Sequence, residues 1–145
     1  MSAEAPPAAR AWRTALVMIV RDGGPGLSRA LASMAPWVDD LVVLDTGSTD
    51  DSVARARAAG ARVAHFTWVD DFSAARNAAL DLAGADWHIV LDADEWLVDG
   101  GPALAALRQQ APDFVASIEV DSAQGEGQGS APSWLSRVLP GALRY

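Results

Sequence analysis

Apolar runs at residues 14–20, 41–44 and 87–91, with a further strand-like stretch at 62–67, recur along the chain, each followed by a polar or glycine-containing turn. Runs of this length without alternation are the pattern of strands buried on both faces. Between them the period lengthens. Leu27, Ala30, Leu31 and Met34 recur at helical spacing and predict a helix over 27–34. Polar turn residues open further helices over 52–59 and 73–82, and Gly60 and Gly84 close them. A helix over 102–109 and strands over 114–120 and 133–139 complete the expectation. Residues 1–12 read as a loose Ala- and Pro-rich leader, and 122–133 as a mobile Gly-, Ser- and Gln-rich loop. The division is therefore a flexible leader at 1–12, one domain over 13–121, and a Gly-rich loop with a partial C-terminal strand over 122–145.

Strand–helix alternation with such strands predicts an α/β fold, a mostly parallel Rossmann-like sheet with helices on both faces. Right-handed crossovers then carry every strand-to-helix loop to one edge of the sheet, where folds of this class bind ligands. Asp22, Asp45, Thr46, Ser48, Asp70, Asp71, Arg76, Asp92, Asp94 and Glu95 all lie in or beside those loops. They are expected to converge on one cleft.

Composition narrows what the cleft can do. A net charge of −8 over 145 residues lacks the basic footprint of a nucleic-acid binder. Every basic side chain is Arg, which removes mechanisms that need a catalytic Lys. With no Cys, disulfides, thiolate chemistry and zinc–cysteine sites are excluded. The early apolar run is too short for a signal-peptide core or a membrane span, so a cytoplasmic protein is expected, free to work at the inner face of the membrane without crossing it.

Several carboxylates in one cleft are costly unless a cation joins them. Oxygen donors alone favour Mg²⁺ or Mn²⁺, ions that accept few protein ligands and take the rest from water and phosphate. Asp92 and Asp94, one residue apart at a strand end, fit that role: Asp94 for direct coordination, Asp92 for the ribose or a bound water. Arg76, in the first turn of its helix, is placed to pair with Asp71 or to contact the diphosphate or base. Trp68, Trp87 and Trp96 are candidates for stacking on a sugar, with core packing the default for Trp87 and Trp96 the best placed for stacking. His65 and His88 read as core or edge residues, and Asp39 and Asp40 as facing water. The segment Gly23-Gly24-Pro25-Gly26 reads as a plain turn rather than a phosphate loop, because Pro25 offers no N–H.

The runs Met18-Ile19-Val20-Arg21-Asp22, Val43-Leu44-Asp45-Thr46-Gly47-Ser48-Thr49-Asp50, Asp71-Phe72-Ser73-Ala74-Ala75-Arg76-Asn77 and Leu91-Asp92-Ala93-Asp94-Glu95 resemble family 2 glycosyltransferases, in that order. The resemblance spans roughly residues 15–98. It implies a GT-A fold, a nucleotide diphosphate sugar donor, most often a UDP-sugar, and inversion at the anomeric centre. Carried over by position, Asp45 resembles the nucleoside contact, Arg76 a nucleotide contact, and Asp92 and Asp94 the catalytic, metal-holding DxD pair. Arg21, Asp22, Thr46, Ser48, Asp71 and Ala93 fall in the donor-binding motifs. A glycan, lipid or peptide acceptor is implied.

Family members continue past this point, and that region supplies the acceptor site and the general base. Here about fifty residues follow Asp94, and the last acids, Glu119, Asp121 and Glu126, lie in a strand and the Gly-rich loop. The acceptor part therefore reads as incomplete, and a truncated, non-catalytic sugar-nucleotide-binding module is the alternative. An aspartyl-phosphate phosphatase is disfavoured because its Asp-x-Asp opens the first strand and works with a later basic residue, commonly Lys. A nicotinamide-dependent dehydrogenase lacks its glycine fingerprint.

Overall fold

The computed structural model describes residues 11–121 and 132–145. Most of the leader and most of the Gly-rich loop lie outside the described residues. Strands β1 (Thr14–Val20), β2 (Asp40–Asp45), β3 (Arg62–His65), β4 (Trp87–Val90), β5 (Ala116–Val120) and β6 (Ser133–Pro140) form one six-stranded sheet in the order β3-β2-β1-β4-β6-β5. β1 pairs in parallel with both β2 and β4, and β2 with β3. β6 is antiparallel to β4 on one side and to β5 on the other. The parallel sheet expected from the sequence is thus extended by two strands of mixed direction.

Helices α1 (Gly24–Met34), α2 (Ser52–Ala58), α3 (Phe72–Ala83) and the short α4 (Gly101–Ala105) cover it. Leu27, Leu31, Met34 and Ala56 pack with Leu16, Met18, Val43, Trp87 and Ile89 on one face, where Leu104 of α4 joins them. Ala79, Leu80 and Ala83 of α3 pack with Val17, Val42 and Val90 on the other. The topology explains this division. Steps from β1 to β2 and from β2 to β3 move outward and place α1 and α2 on one face. The return from β3 to β4 crosses β2 and β1 and places α3 on the opposite one. The chain reverses between β1 and β4, and a crevice opens beyond the carboxyl ends of those strands.

Local chemistry sets the boundaries. α1 starts three residues before its periodic pattern, since Pro25 in the first turn has φ pre-set for a helix and gives up no needed N–H. Asp71 caps α3 by accepting the Ala74 amide at 3.2 Å, and Gly84, at φ 55°, ends it. The helix expected over 102–109 divides into α4 and a 3₁₀ turn, Ala106–Gln109. The strand expected from 114 starts at Ala116, because Phe114 turns onto the buried Trp87 ring at 4.9 Å.

Asp39 and Asp40 do not simply face water. Asp39 accepts the Thr14 amide at 2.9 Å and pairs with Arg108 at 3.2 Å. Partial burial pushes its pKa up, but the Thr14 amide and Arg108 outweigh this and hold it below the ordinary value. Asp40 pairs with Arg13 at 2.7 Å. Together they fasten the start of β2 to the start of β1.

Candidate functional site: a cleft and an acidic turn at the carboxyl edge of the sheet

The loop after β1 and the loop after β2 are sewn together. Oδ1 of Asp22, a residue held at φ 52°, accepts the amides of Thr49 at 2.7 Å and Asp50 at 3.2 Å. In return the Asp22 amide donates to Ser48 Oγ and the Gly23 amide to Ser52 Oγ, each at 2.9 Å. Thr46, buried, donates its hydroxyl to the Val20 carbonyl at 3.1 Å. Asp22, Thr46 and Ser48 therefore shape the loops. Arg21, beside them, is exposed. Gly23 is needed here: a Cβ on it would sit 2.8 Å from Val20 Cγ2 and 3.4 Å from the Ala93 Cβ. That closeness lets the turn carrying Ala93 lie against the start of α1.

Asp45 ends β2 with its carboxylate buried. Its oxygens accept the Gly47 and Ser48 amides at 3.3 Å, and His65 Nδ1 lies 3.2 Å away. Burial alone pushes the pKa up. The Ser48 side chain and amide, the Gly47 amide and His65 outweigh it, so the group stays below the ordinary carboxylate value. Around Asp45 opens a cleft of about 360 Å³ lined by Thr46, Gly47, His65, Phe66, Thr67 and Trp68. This is within the size range of small-ligand pockets. His65, at the end of the edge strand β3, is mostly exposed at its mouth, so of core and edge it is an edge residue. Trp68 donates Nε1–H to Asp70 at 2.9 Å and meets Phe72 edge-on at 4.8 Å.

The acidic turn follows β4. The Glu95 amide donates to the Asp92 carbonyl at 3.0 Å, and the Asp92 amide donates to Glu95 Oε1 at 2.7 Å. The turn is closed from both ends. Asp92 pairs with Arg76 at 3.2 Å and faces Arg137 of β6 at 3.7 Å, and Arg137 also holds Glu95 Oε2 at 3.1 Å. Arg76 thus reaches across from α3 to Asp92. It does not pair with Asp71, whose side chain is spent on the helix cap. Asp94 is exposed, and its carboxylate makes no hydrogen bond or ion pair with another described residue.

Among the described residues no cluster of three or more His, Cys, Asp or Glu is arranged to hold a metal. A hard cation suits the site only as a sparsely liganded one: Asp94 offers a free carboxylate oxygen, and further oxygens must come from ligand and water. That donor set fits Mn²⁺ or Mg²⁺ carried by a diphosphate.

The aromatic candidates divide. Trp87 is fully buried and donates to the Gln110 carbonyl at 2.9 Å, so it is core. One face of Trp96 is taken by the Arg29 guanidinium, 3.6 Å from the ring centroid. Trp68 is the one that borders the cleft. Glu95 was expected at this edge from its loop, whereas Arg137 and His65 are site residues that strand and loop reasoning passed over. Only the position of Glu95, three residues after Asp92, carried a local signal.

Comparisons with known proteins bear on the family and the fold. The Glycosyl transferase family 2 profile matches residues 15–138. The succinoglycan biosynthesis protein ExoU of Rhizobium meliloti is 32% identical over 134 residues, covering 86% of this chain and 38% of that protein. A TPR repeat-containing protein of Synechococcus elongatus is 55% identical over 86 residues, covering 59% of this chain and 21% of its own. The chain thus spans well under half the length of these curated relatives. Among solved structures, glucosyl-3-phosphoglycerate synthase from Mycobacterium tuberculosis in complex with Mn²⁺, UDP and glucosyl-3-phosphoglycerate superposes with a TM-score of 0.52 at 27% identity, over 57% of this chain and 33% of that one. The fold, the four ordered motifs and the profile match place the chain in glycosyl transferase family 2.

Proposed function

We propose that this chain is the donor-binding portion of a glycosyltransferase that takes a sugar from a UDP-sugar and passes it, with inversion and metal assistance, to a glycan, lipid or peptide acceptor. The observation that carries the reading is that two features lie beyond the carboxyl ends of the parallel strands, on one edge of the sheet. A nucleoside-sized cleft ends on the buried Asp45, and an acidic turn presents Asp94 beyond β4. Mycobacterial glucosyl-3-phosphoglycerate synthase, of the same fold, is known in complex with UDP and with Mn²⁺ or Mg²⁺.

The residues divide the work. Asp45, fixed by the Gly47 and Ser48 amides, offers a negative acceptor to N–H groups of a base lying in the cleft. Phe66 and Trp68 supply apolar walls. Arg76 holds Asp92 of the acidic turn, and Asp94 holds the cation. When bound, that cation neutralises charge developing on the departing nucleoside diphosphate. Glu95 is not free to serve as the base, since one oxygen takes the Asp92 amide and the other Arg137. The base that accepts the acceptor's proton lies outside this turn.

Calorimetric titration of UDP, first with Mn²⁺ and then with chelator, tests the reading. Binding with Mn²⁺ that weakens at least about tenfold in chelator supports it, equivalent to about 1.4 kcal/mol. No binding in either condition overturns it, and equal binding in both overturns the metal assignment.

A further inference from the structure

We propose that Arg137 is a positioning residue of the acidic turn: together with Arg76 it neutralises Asp92, so that the turn accepts a divalent cation only in company with a diphosphate. The inference rests on the donor-site reading above and deepens it.

Asp92 lies between two guanidiniums. Arg76 Nη2 is 3.2 Å from Oδ1, and Arg137 Nη2 is 3.7 Å from Oδ2. The Arg137 side chain is only 11% exposed, so its field is screened far less than that of a surface arginine. It is also tied to Glu95 at 3.1 Å, and the other Glu95 oxygen holds the Asp92 amide. Arg137 therefore sets both the net charge and the shape of the turn. Three acids at 92, 94 and 95 face two arginines, and the carboxylate left over is that of Asp94.

One free carboxylate is a poor cage for Mn²⁺ or Mg²⁺, which need several oxygens. Two carboxylates one residue apart make a better one, and the two arginines suppress that arrangement by engaging Asp92. The turn is then satisfied without a cation, and a diphosphate has to bring the missing oxygens. Metal and nucleotide are coupled because neither Asp94 nor the arginines make a complete site alone.

Mn²⁺ titration of the full chain without nucleotide, read by the electron paramagnetic resonance of free Mn²⁺, tests this directly. Arg137→Met and Arg76→Met are expected to bind Mn²⁺ roughly tenfold more tightly than wild type, the scale of removing one cation near a ligand carboxylate. Arg137→Lys keeps the charge and stays near wild type. Adding Asp92→Asn to Arg137→Met abolishes the gain. A purely structural role predicts a lower melting temperature and no gain in Mn²⁺ affinity. Unchanged or weaker Mn²⁺ binding in the folded Met variants overturns the proposal, and Arg76→Met decides it alone if Arg137→Met does not fold. UDP titration of wild type with Mn²⁺ runs beside these. Its failure removes the donor-site reading, while the nucleotide-free comparison still decides the role of Arg137.

Discussion

Nδ1 of His65, the last residue of β3, lies 3.2 Å from Oδ2 of Asp45, the last residue of β2. A mostly exposed imidazole is thereby fastened to a carboxylate that is almost fully buried, and the pair forms one wall of the cleft. The neighbouring strands end level with each other, Asp45 opposite His65 in the parallel register, so the sheet itself sets their spacing.

Asp45→Ala is expected to weaken UDP binding by about ten- to a hundredfold, the loss of one hydrogen bond to a charged group. The ratio of affinities in Mn²⁺ and in chelator is expected to stay as in wild type, because the acidic turn is untouched. Wild-type affinity for UDP in the folded variant would reduce Asp45 to a turn residue.

Asp94→Ala is expected to do the reverse. Affinity for UDP in chelator stays at the wild-type level, while most of the gain on adding Mn²⁺ disappears. Calorimetry under both conditions reads the two effects separately, and a retained metal dependence would move the cation to another ligand.

Asp71→Ala tests the division of labour in α3. The side chain caps the helix at the Ala74 amide, so stability is expected to fall by about 1 kcal/mol. UDP affinity is expected to change by less than about threefold, since Asp71 makes no ion pair with Arg76. A large loss of affinity at unchanged stability would restore Asp71 to the donor site.

His88 gives the fold a pH dependence. It is fully buried in β4, its Nε2 accepts the Ala85 amide at 3.0 Å, and its Nδ1 has no partner among the described residues. Burial pushes its pKa down to about 4 from 6.5, with a further push from Arg144. The unfolded chain therefore takes up the proton first. Its contribution is complete above pH 6.5 and is lost as pH falls toward 4, by about 2 kcal/mol between pH 7.5 and 5. Denaturant midpoints at those two pH values measure it, and His88→Gln, which still offers an oxygen to Ala85, is expected to flatten the difference. Asp39 and Asp45 have lowered pKa values, so their stabilisation holds above 3.8 and is lost as pH falls through and below it.

Much of this architecture is written in local pattern. The apolar runs place β1 to β4, and the loops they end in bring Asp22, Asp45, Asp92 and Asp94 to one edge, because parallel strands with right-handed crossovers leave no other arrangement. The pairing of those loops is a different matter. That Asp92 would be held by Arg137 depends on β6 entering antiparallel beside β4, a relation across more than forty positions that no periodicity signals. His65 was obscured for a related reason. A strand reading leaves it core or edge, and only the sheet order, with β3 outermost, opens its last residue to the cleft. Asp39 looked solvent-facing since its partners, Thr14 and Arg108, are remote in sequence.

The register of β6 also depends on one glycine. A Cβ on Gly141 would collide with the Ala85 backbone, whose loop precedes β4, and the Gly141 amide donates to the Asp86 carbonyl at 2.7 Å. Gly141→Ala is therefore expected to lower the melting temperature and, by displacing Arg137, to alter metal-dependent UDP affinity as well. Thermal melts and the same calorimetric pair read both, and an unchanged melt would show that the loop yields.

The insertion of β6 between β4 and β5 has a bearing on the order of events at the ribosome. β1 to β4 and their helices can emerge and pair in sequence, each strand beside one already made. The strand that carries Arg137 is made afterwards and pairs with both β4 and β5, so until then Asp92 has Arg76 alone and Glu95 lacks its arginine. The sheet is then a working surface only once its later portion has docked, and the chemistry of its centre is timed by the arrival of its periphery.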